Sequence, residues 1–418
     1  MDDKHVRRRK VSLKSSFTGT DSTTNRSAIS AEKTHGTFNF CTVLILFATS
    51  CLFVILGVGL YLSPLKNAVI IDGLVNVELT GVYAINSKLS VGKRIENIPS
   101  PECIVEGLGG KLYTGLADGR IVCIHPSSDG EIGAGKVENI TTGIIQGAAM
   151  STDALGHGRP FGIRLVGKTL YAADAVYGLY TVDIVTKHIT ILVSTNAKNP
   201  PLKFTDDLDI TADGNFIYFS DATHNPITHY HLDAYSGICS GRIFRYNTIS
   251  KRLDEVISGL CFANGVQLSN DEHQLVVVET TRNRIIWYDI ETWQPHNVVN
   301  VPFLPDNVRM TDSGTYLVAG SGPFLRPWIK YIFFNFPSVR KSMTGLLSSP
   351  TLFRTFQNLY AVQHVFVIEL SVTGEVLNVM QDADGRLAYA IATATPLSDG
   401  RLALGSWHSN HIAIVDTT

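Results

Sequence analysis

The sequence predicts an all-β fold, a six-bladed β-propeller, preceded by a single N-terminal transmembrane helix. The helix is indicated by Phe40 to Leu62, a run of 23 residues without a charged side chain. The propeller is indicated by six copies of a pattern of roughly 45–60 residues, each beginning at a Gly, Asp or Asn turn and continuing into alternating strand residues. The copies have no helix caps and no 3.6-residue apolar stripe, which favours strands over helices.

Residues 1–39 are predicted to form a disordered cytoplasmic tail, because they are rich in Ser and Thr and contain few large apolar side chains. Residues 40–62 are long enough to cross a hydrocarbon core of about 30 Å. The tail carries eight Lys or Arg residues, whereas Lys66 is the only one in the first stretch beyond the apolar run. Because positive charge stays on the cytoplasmic side, this asymmetry predicts a signal anchor with the C-terminal part outside. A cleavable signal peptide is the alternative, but its apolar region is usually about 7–15 residues and lies nearer the N-terminus.

We therefore expect a single-pass type II membrane protein of the plasma membrane or endoplasmic reticulum, with an extracellular or lumenal C-terminal domain. Residues 63–100 form a stalk that leads into the propeller, and residues 101–418 form the propeller itself. The formal net charge of −2 provides no field that would attract nucleic acid, so no nucleic-acid partner is expected. The basic tail suits topology or anionic lipid instead.

The six copies cover nearly all of the chain beyond the anchor. They are GGKLYTGLADGRIVCI at 109–124, GKTLYAADAVYGLYTVD at 167–183, DGNFIYFSDA and GRIFRYN between 213 and 247, DEHQLVVVETTRNRIIWYD at 271–289, DSGTYLVAGSG at 312–322 with VFVIELSVTGEV at 365–376, and DGRLALGSWHSNHIAIVD at 399–416. The strands are short and are separated by turn residues, as in propeller blades with four strands each.

An aromatic and basic insertion, residues 323–360, interrupts the fifth copy without strand alternation. One interpretation is packing on the propeller rim. The other is an interfacial segment, in which five aromatic side chains enter lipid or cover the pocket while four cations meet headgroups. The aromatic residues are Trp328, Tyr331, Phe333, Phe334 and Phe336, and the cations are Arg326, Lys330, Arg340 and Lys341.

Four cysteines lie beyond the membrane run, Cys103, Cys123, Cys239 and Cys261, and they allow three disulfide connectivities. The local pairs 103–123 and 239–261 are the simplest, and four buried free thiols are the alternative. Asn139, in Asn139-Ile140-Thr141, begins the only N-x-S/T sequon beyond the anchor, so we expect it to carry an N-glycan on a surface loop.

Oxygen-bearing side chains recur next to the predicted inner strands, whose ends converge at the mouth of a propeller channel. Carboxylates or carboxamides stand in Pro101-Glu102, in residues 204–208 (FTDDL), in residues 262–265 (FANG) and in Pro305-Asp306-Asn307. Calcium accepts six to eight oxygen ligands, whereas zinc prefers Cys or His. Each such segment alone is typical of a turn, but four in separate copies favour a hard cation.

These and other segments carry a family resemblance that covers roughly residues 101–418. They are PECI, GRPFGIR (158–164), LYAADAVYGLYTVD, FTDDLDI, IYFSDA, GRIFRY, FANGVQLS, VVVETT, LPDNVR and RPWIKYIFF. Together they resemble the strictosidine-synthase-like propellers, whose wider superfamily includes paraoxonases and gluconolactonase-like calcium-dependent hydrolases. The resemblance places Ca²⁺ on Glu102, Asp206, Asn264 and Asp306, with Asn307 as a further candidate ligand.

Several positions depart from the family pattern. Asp206 stands where the family usually has Asn, which keeps an oxygen ligand and adds charge. Thr393 stands in place of the catalytic Glu of plant strictosidine synthases, so Pictet–Spengler condensation is not expected. Phe161 and Asp174-Ala175 replace the His pair of paraoxonases, and His157 stands where a Cys often precedes GRP. Asp174, Asp221 and Glu279 end inner or second strands, and Asp174 is the candidate catalytic base.

The remaining histidines do not indicate a metal site. His224, His229 and His231 match no closed zinc spacing, and His408 and His411 suit a polar channel lining. No G-x-S-x-G nucleophile motif is present. Together with the oxygen-bearing segments, the resemblance implies a membrane-anchored, calcium-binding hydrolase with arylesterase-like activity on aryl or lipophilic esters or lactones. The alternative is a non-catalytic propeller that binds a lipid or protein partner and uses the metal only for stability.

Overall fold

The computed structural model describes residues 35–150, 155–198, 201–322, 327–347, 352 and 363–416. The chain divides into two compact units, Met1–Ile55 and Leu56–Thr418. Helix α1 spans His35–Leu62, and its part Phe40–Leu62 is long and apolar enough to cross a membrane. Most of the predicted tail lies outside the described residues.

In the part of the chain that the structure describes, twenty-four strands form six antiparallel sheets of four strands, which confirms the predicted six-bladed propeller. The strands are β1 Gly92–Glu96, β2 Ile104–Gly107, β3 Lys111–Gly115, β4 Ile121–Ile124, β5 Val137–Asn139, β6 Pro160–Val166, β7 Thr169–Asp174, β8 Gly178–Asp183, β9 Ile189–Val193, β10 Thr205–Ile210, β11 Phe216–Asp221, β12 Gly241–Asn247, β13 Leu253–Leu260, β14 Ala263–Leu268, β15 Gln274–Glu279, β16 Arg284–Asp289, β17 Pro295–Asn300, β18 Leu304–Met310, β19 Tyr316–Ser321, β20 Val365–Leu370, β21 Val376–Asp382, β22 Ile391–Pro396, β23 Leu402–Ser406 and β24 His411–Val415.

The ring closes by pairing strands from opposite ends of the propeller sequence. The first five blades each take four consecutive strands, β2–β5 through β18–β21. The sixth combines β22, β23 and β24 with β1, which pairs antiparallel with β24 from Gly92 opposite Val415 to Glu96 opposite His411. Because β1 lies within residues 63–100, the segment that leads into the propeller also completes its last sheet.

Apolar side chains between neighbouring blades form the core. Between the fourth and fifth blades, buried Trp287 meets Tyr316 edge-on at 6.0 Å between ring centroids, and Phe303 stacks on Phe366 at 4.8 Å. Strands buried on both faces, such as β19 and β24, explain why apolar residues run continuously there instead of alternating with polar ones.

Five of the six inner strands are irregular at the position where they begin. The register of β6, β10, β14, β18 and β22 against their second strands shifts within the first four residues, whereas β2 pairs with β3 without a shift. Such bulges re-aim the side chains that they contain. Glycines accommodate the close approach of adjacent blades: a Cβ on Gly265 would lie 2.7 Å from Asn307 Cα, and one on Gly162 would lie 2.6 Å from Asp207 Cα.

In the described residues, three short α-helices lie between strands. Helix α2 (His231–Ser236) joins β11 to β12, and helices α3 (Pro327–Asn335) and α4 (Pro337–Leu346) belong to the insertion between β19 and β20. Arg340, which is fully buried, donates hydrogen bonds to the carbonyls of Tyr235, Phe333, Phe334 and Val69. The interpretation of Arg340 as a headgroup ligand is therefore wrong, because its guanidinium is buried and hydrogen-bonded to backbone carbonyls.

The other predicted interfacial side chains differ in exposure. Tyr331 and Phe336 are exposed, whereas Phe333 packs edge-on against Tyr235 at 5.2 Å. Lys341 donates to the Lys66 carbonyl at 2.9 Å. The side chains of Arg326, Trp328 and Lys330 lie outside the described residues.

The structure forms one of the two simplest disulfides. Cys239 and Cys261 are bonded, whereas Cys103 and Cys123 are buried free thiols, so the 103–123 pairing is wrong. Cys103 immediately precedes β2 and Cys123 lies in β4, with β3 between these strands. Two strand spacings of about 4.8 Å exceed the Cα separation that a disulfide spans.

Candidate metal centre at the channel mouth

The predicted oxygen ligands come from four blades and lie at the same end of the inner strands. Glu102 stands two residues before β2, Asp206 and Asn264 lie in the bulges that begin β10 and β14, and Asp306 with Asn307 forms the bulge of β18. All are buried except Asp306, which is partly exposed. The bulges thus turn into the channel mouth side chains that a regular strand would direct elsewhere.

Three oxygens in this cluster have no hydrogen-bond partner among the described residues: Oδ1 of Asn264, Asp306 and Asn307. The orientation of Asn264 is fixed, because its Nδ2 donates to Thr280 Oγ1 at 3.1 Å and Thr280 donates to the Pro305 carbonyl at 2.8 Å. A buried acceptor without a donor costs roughly 1–3 kcal/mol. Three such acceptors at one place are suited to a cation.

The carboxyl groups of the cluster repel one another. Burial raises the pKa of Glu102 to about 7 against the opposing effect of Arg159. Burial and the charges of Glu102 and Asp306 raise the pKa of Asp206 well above its ordinary value, and burial and the charge of Glu102 do the same for Asp306. A divalent cation would relieve this repulsion.

The carboxylates alone do not form a tight cage. In the described part of the chain, the one set of three His, Cys, Asp or Glu ligand atoms within 4.8 Å of one another is Cys239, Cys261 and Glu279, whose two sulfurs are joined in the disulfide. A cation at the mouth would therefore need the amide oxygens of Asn264 and Asn307, and water, to complete its shell, which suits calcium with its six to eight oxygen ligands.

A fixed cation, Arg159, borders the cluster. Its Nη2 donates to Glu102 Oε2 at 3.1 Å, its Nη1 donates to the Ser100 carbonyl at 3.1 Å, and both side chains of the ion pair are buried. The guanidinium also lies 4.4 Å from the centre of the Phe161 ring. Sequence reasoning missed Arg159, although a charged residue directly before the apolar start of an inner strand was the available signal.

The second and sixth blades contribute apolar groups to the mouth. Phe161 occupies the bulge of β6 and Ala392 that of β22, followed by Thr393, whose buried hydroxyl has no partner in the described structure. Phe161 stacks on Phe204 at 4.9 Å, and Phe204 meets Phe262 edge-on at 5.6 Å and Tyr230 at 6.0 Å. We call these four rings the aromatic wall. It lies beside the oxygen cluster and could bind the apolar part of a ligand.

A buried ion network supports the cluster deeper in the channel. Asp207 accepts hydrogen bonds from Arg309 Nη1 at 2.8 Å and Nη2 at 3.0 Å, from Arg164 at 3.3 Å and from the Val266 N–H at 3.0 Å. Burial opposes its charge, but the two guanidinium groups hold the pKa of Asp207 below its ordinary value. Arg309 also contacts the Cys103 sulfur at 3.1 Å. The network locks four inner strands in register, and its sequence signal was the charged residues within otherwise apolar strands.

The candidate base, Asp174, has a structural role that Asp221 and Glu279 share. Each carboxylate is the last residue of the second strand of its blade. Each accepts a hydrogen bond from a backbone N–H near the start of the inner strand of the same blade: Asp174 from Arg159 (3.1 Å), Asp221 from Phe204 (2.9 Å) and Glu279 from Cys261 (2.7 Å). Asp174 Oδ1 also accepts the N–H groups of Val176 and Tyr177, and Oδ2 faces Gly158. Burial raises the pKa of Asp174.

Among the described residues, no histidine belongs to a set of three ligand atoms within 4.8 Å of one another. Burial lowers the pKa of His224, and burial with the charge of His229 lowers the pKa of His231 to about 4. His411, in the third strand of the sixth blade, has its Nε2 3.0 Å from the Leu387 carbonyl, and burial lowers its pKa.

The six-bladed propeller agrees with the fold that the resemblance to strictosidine-synthase-like propellers implies. A family model described as strictosidine synthase matches residues 206–292, and one described as strictosidine synthase-like, N-terminal, matches residues 81–124. The chain is 35% identical over 348 residues to the adipocyte plasma membrane-associated protein of Gallus gallus, covering 80% of each protein. It is 30% identical over 346 residues to protein STRICTOSIDINE SYNTHASE-LIKE 13 of Arabidopsis thaliana, covering 76% of this chain and 78% of that protein. The chain belongs to the adipocyte plasma membrane-associated protein family.

The fold is also found among solved structures of low sequence identity. A putative gluconolactonase superimposes with a TM-score of 0.50 at 14% identity, covering 78% of this chain and 91% of that chain. At this identity the likeness concerns the fold alone.

Proposed function

We propose that the protein is a membrane-anchored, calcium-dependent hydrolase of aryl or lipophilic esters or lactones. The observation that supports it is the cluster of five oxygen-bearing side chains from four blades, with three unpartnered oxygens, beside the aromatic wall. Glu102, Asp206, Asn264 and Asp306 would hold Ca²⁺, with Asn307 as a further ligand. Calcium there would supply a Lewis acid that polarises an ester carbonyl and a water molecule.

The other residues would bind and orient the substrate. Phe161 and Phe204 would contact its aryl or alkyl group, since aromatic rings stack favourably with one another. Arg159 would hold Glu102 in place through their buried ion pair. Asp174 is the candidate base, although its backbone hydrogen bonds mean that Asp174→Asn must be checked for folding before its activity is interpreted.

The proposed setting is that of a type II protein with α1 as a retained signal anchor. The exposed Asn139 on the outermost strand of the first blade would carry the N-glycan. The names of the relatives as membrane-associated proteins agree with an anchor.

A non-catalytic binding propeller is the second candidate function. It is favoured by Arg159, which pairs with Glu102 Oε2. It is also favoured by Thr393, which replaces the catalytic Glu of plant strictosidine synthases, and by Phe161, which replaces a His of the paraoxonases in the wider superfamily. In that case calcium would only stabilise the mouth.

An esterase assay separates the hydrolase from the non-catalytic binding function. The purified full chain is incubated with phenyl acetate, naphthyl acetate and lactones, once with calcium and once with chelator. We expect modest turnover that requires calcium and is lost in Glu102→Gln and Asn264→Ala. Glu106→Gln, at the opposite end of β2, is the matched control and should retain activity. Absence of turnover above that of heat-inactivated protein, with folded calcium-loaded wild type, would leave the binding function.

A further inference from the structure

The last turn of α1 packs tightly on α4 of the insertion. A Cβ atom on Gly59 would clash with Ser342, and one on Gly345 would clash with the Gly59 carbonyl oxygen. Ser342 Oγ donates to the Leu56 carbonyl at 3.0 Å, and the hydroxyls of Ser63 and Thr344 lie 2.8 Å apart. Small residues on both helices therefore allow a backbone contact that larger ones would prevent.

This contact fixes the height of α4 relative to a bilayer. Leu56–Leu62 is the end of the apolar span, so these residues would lie where the span leaves the hydrocarbon core. A helix packed directly on this turn must lie at the same level, in the interface of the leaflet opposite the N-terminal tail.

Buried Arg340 ties α4 to its neighbours. Through the carbonyls of Tyr235, at the end of α2, of Phe333 and Phe334, in α3, and of Val69, after the anchor, it joins four segments. We call α2, α3 and α4 the helical cap. Because this one guanidinium of α4 binds carbonyls of α2, of α3 and of Val69, the cap is expected to move as a unit with the end of α1.

The helical cap lies at the same end of the propeller as the oxygen cluster. In the third blade, the start of β10 pairs with the end of β11, from which α2 follows: Thr205 is opposite Asp221. In the fifth blade, Leu304 at the start of β18 is opposite Ser321 at the end of β19, where the insertion begins. The loops containing Leu108 and Ile249 lie at the opposite end.

Most of the exposed side chains of the cap are apolar, with Asn335 and Ser338 the polar ones among them, and the interior of the cap leads to the mouth. Tyr331 is 63% exposed and Phe336 48%. Inside the cap, ring contacts run from Phe333 to Tyr235, then to His231 and Tyr230. Tyr230 belongs to the aromatic wall.

We propose that the helical cap is seated in the membrane interface and that the mouth of the propeller, with the oxygen cluster, faces the bilayer. The occupant of the exposed apolar surface is therefore lipid, and ligands of the site are molecules that partition into the membrane and enter beside the aromatic wall. The inference rests on the proposed anchor, but it does not depend on whether the site is catalytic.

Site-specific photocrosslinking tests this orientation. A benzophenone amino acid is placed at Tyr331 or Phe336, at Leu62 as a positive control, and at Leu108 or Ile249 on the opposite end. The full-length protein is reconstituted into phosphatidylcholine vesicles that contain an alkyne-tagged phosphatidylcholine, irradiated, and assayed for tagged lipid. We expect adducts at 331 and 336 on the order of tenfold above those at 108 and 249, since interfacial helices are buried about 5–10 Å.

A matched pair of glycine variants tests the packing of α4 on the last turn of α1. Gly59→Val would force α4 away, whereas a Cβ on Gly57 meets nothing within 4 Å. Adducts at 331 should fall in Gly59→Val and persist in Gly57→Val. Adducts at Leu62 without adducts at 331 and 336, or equal adducts at both ends, would overturn the orientation alone. Absence of adducts at Leu62 would overturn the anchor as well, whatever esterase assays show.

Discussion

Replacing Asp207 by Asn tests the buried network beneath the mouth. The carboxylate is fully buried and accepts hydrogen bonds from two guanidinium groups, Arg309 and Arg164. Asn would leave Arg309 without a carboxylate partner and Arg164 with Asp209 alone, at 3.3 Å. Removal of one partner of a buried pair costs about 3–5 kcal/mol. With an unfolding entropy of about 2.1 cal/mol/K per residue, residues 92–416 give a decrease in melting temperature of roughly 4–7 °C.

The assay is thermal unfolding of the full chain in detergent with chelator present, so that loss of a metal at the adjacent Asp206 does not contribute. Asp399→Asn is the control, because its ion pair with Arg401 is partly solvent-exposed and is expected to contribute less than about 1 kcal/mol. Asp207→Asn/Arg309→Met should recover part of the loss, since the uncompensated cation is removed with its partner. A decrease no larger than that of Asp399→Asn, or strict additivity in the double variant, would refute the reasoning.

Three other outcomes are expected. Burial raises the pKa of Asp233 from 3.8 to about 7, so its contribution to the free energy of unfolding is present at low pH and is lost as the pH rises from about 4 to 7. Asp233→Asn should abolish this pH-dependent loss, which is at most roughly 4 kcal/mol, in melting curves measured across that pH range. A pH profile of the variant identical to that of the wild type would count against the prediction. Asn139→Gln should remove the glycosidase-sensitive mobility shift of the cell-expressed protein, and a shift that survives the substitution would contradict the topology. Phe204→Leu should raise KM for aryl esters about 2–10-fold without changing calcium affinity; equal KM values would remove the aromatic wall from substrate binding.

The fold could be predicted because turns and strand alternation are local properties of the sequence. Each copy, such as Asp399 to Asp416, contains its own turn residues and its own strands, so six copies implied six blades. The closing strand β1 lacks this pattern, since it lies at the outer edge, with most of its residues exposed, and depends on β24 for pairing. Its position follows from long-range contacts that no local pattern encodes.

The site was predictable only in part for the same reason. The sequence could point to one end of the inner strands because segments with oxygen-bearing side chains recur between blades and resemble a family; the residues concerned are Glu102, Asp206, Asn264, Asp306 and Asn307. The buried ion pair of Arg159 and Glu102 joins residues 57 positions apart, and Arg340 reaches Val69 across 271 positions. Residue type alone predicts neither a bulge nor a hydrogen-bond partner so far away in the sequence. The roles of Arg159 and Arg340 therefore follow from the structure.

Calcium binding is the central claim, and a direct titration tests it most simply. Full-length protein is stripped with chelator, and calcium is added in a calorimeter, with elemental analysis of the reloaded, desalted protein. The account predicts one Ca²⁺ per chain in wild type and in Glu106→Gln, and its loss in Glu102→Gln and Asn264→Ala. Absence of both binding heat and retained calcium in folded wild type would contradict it.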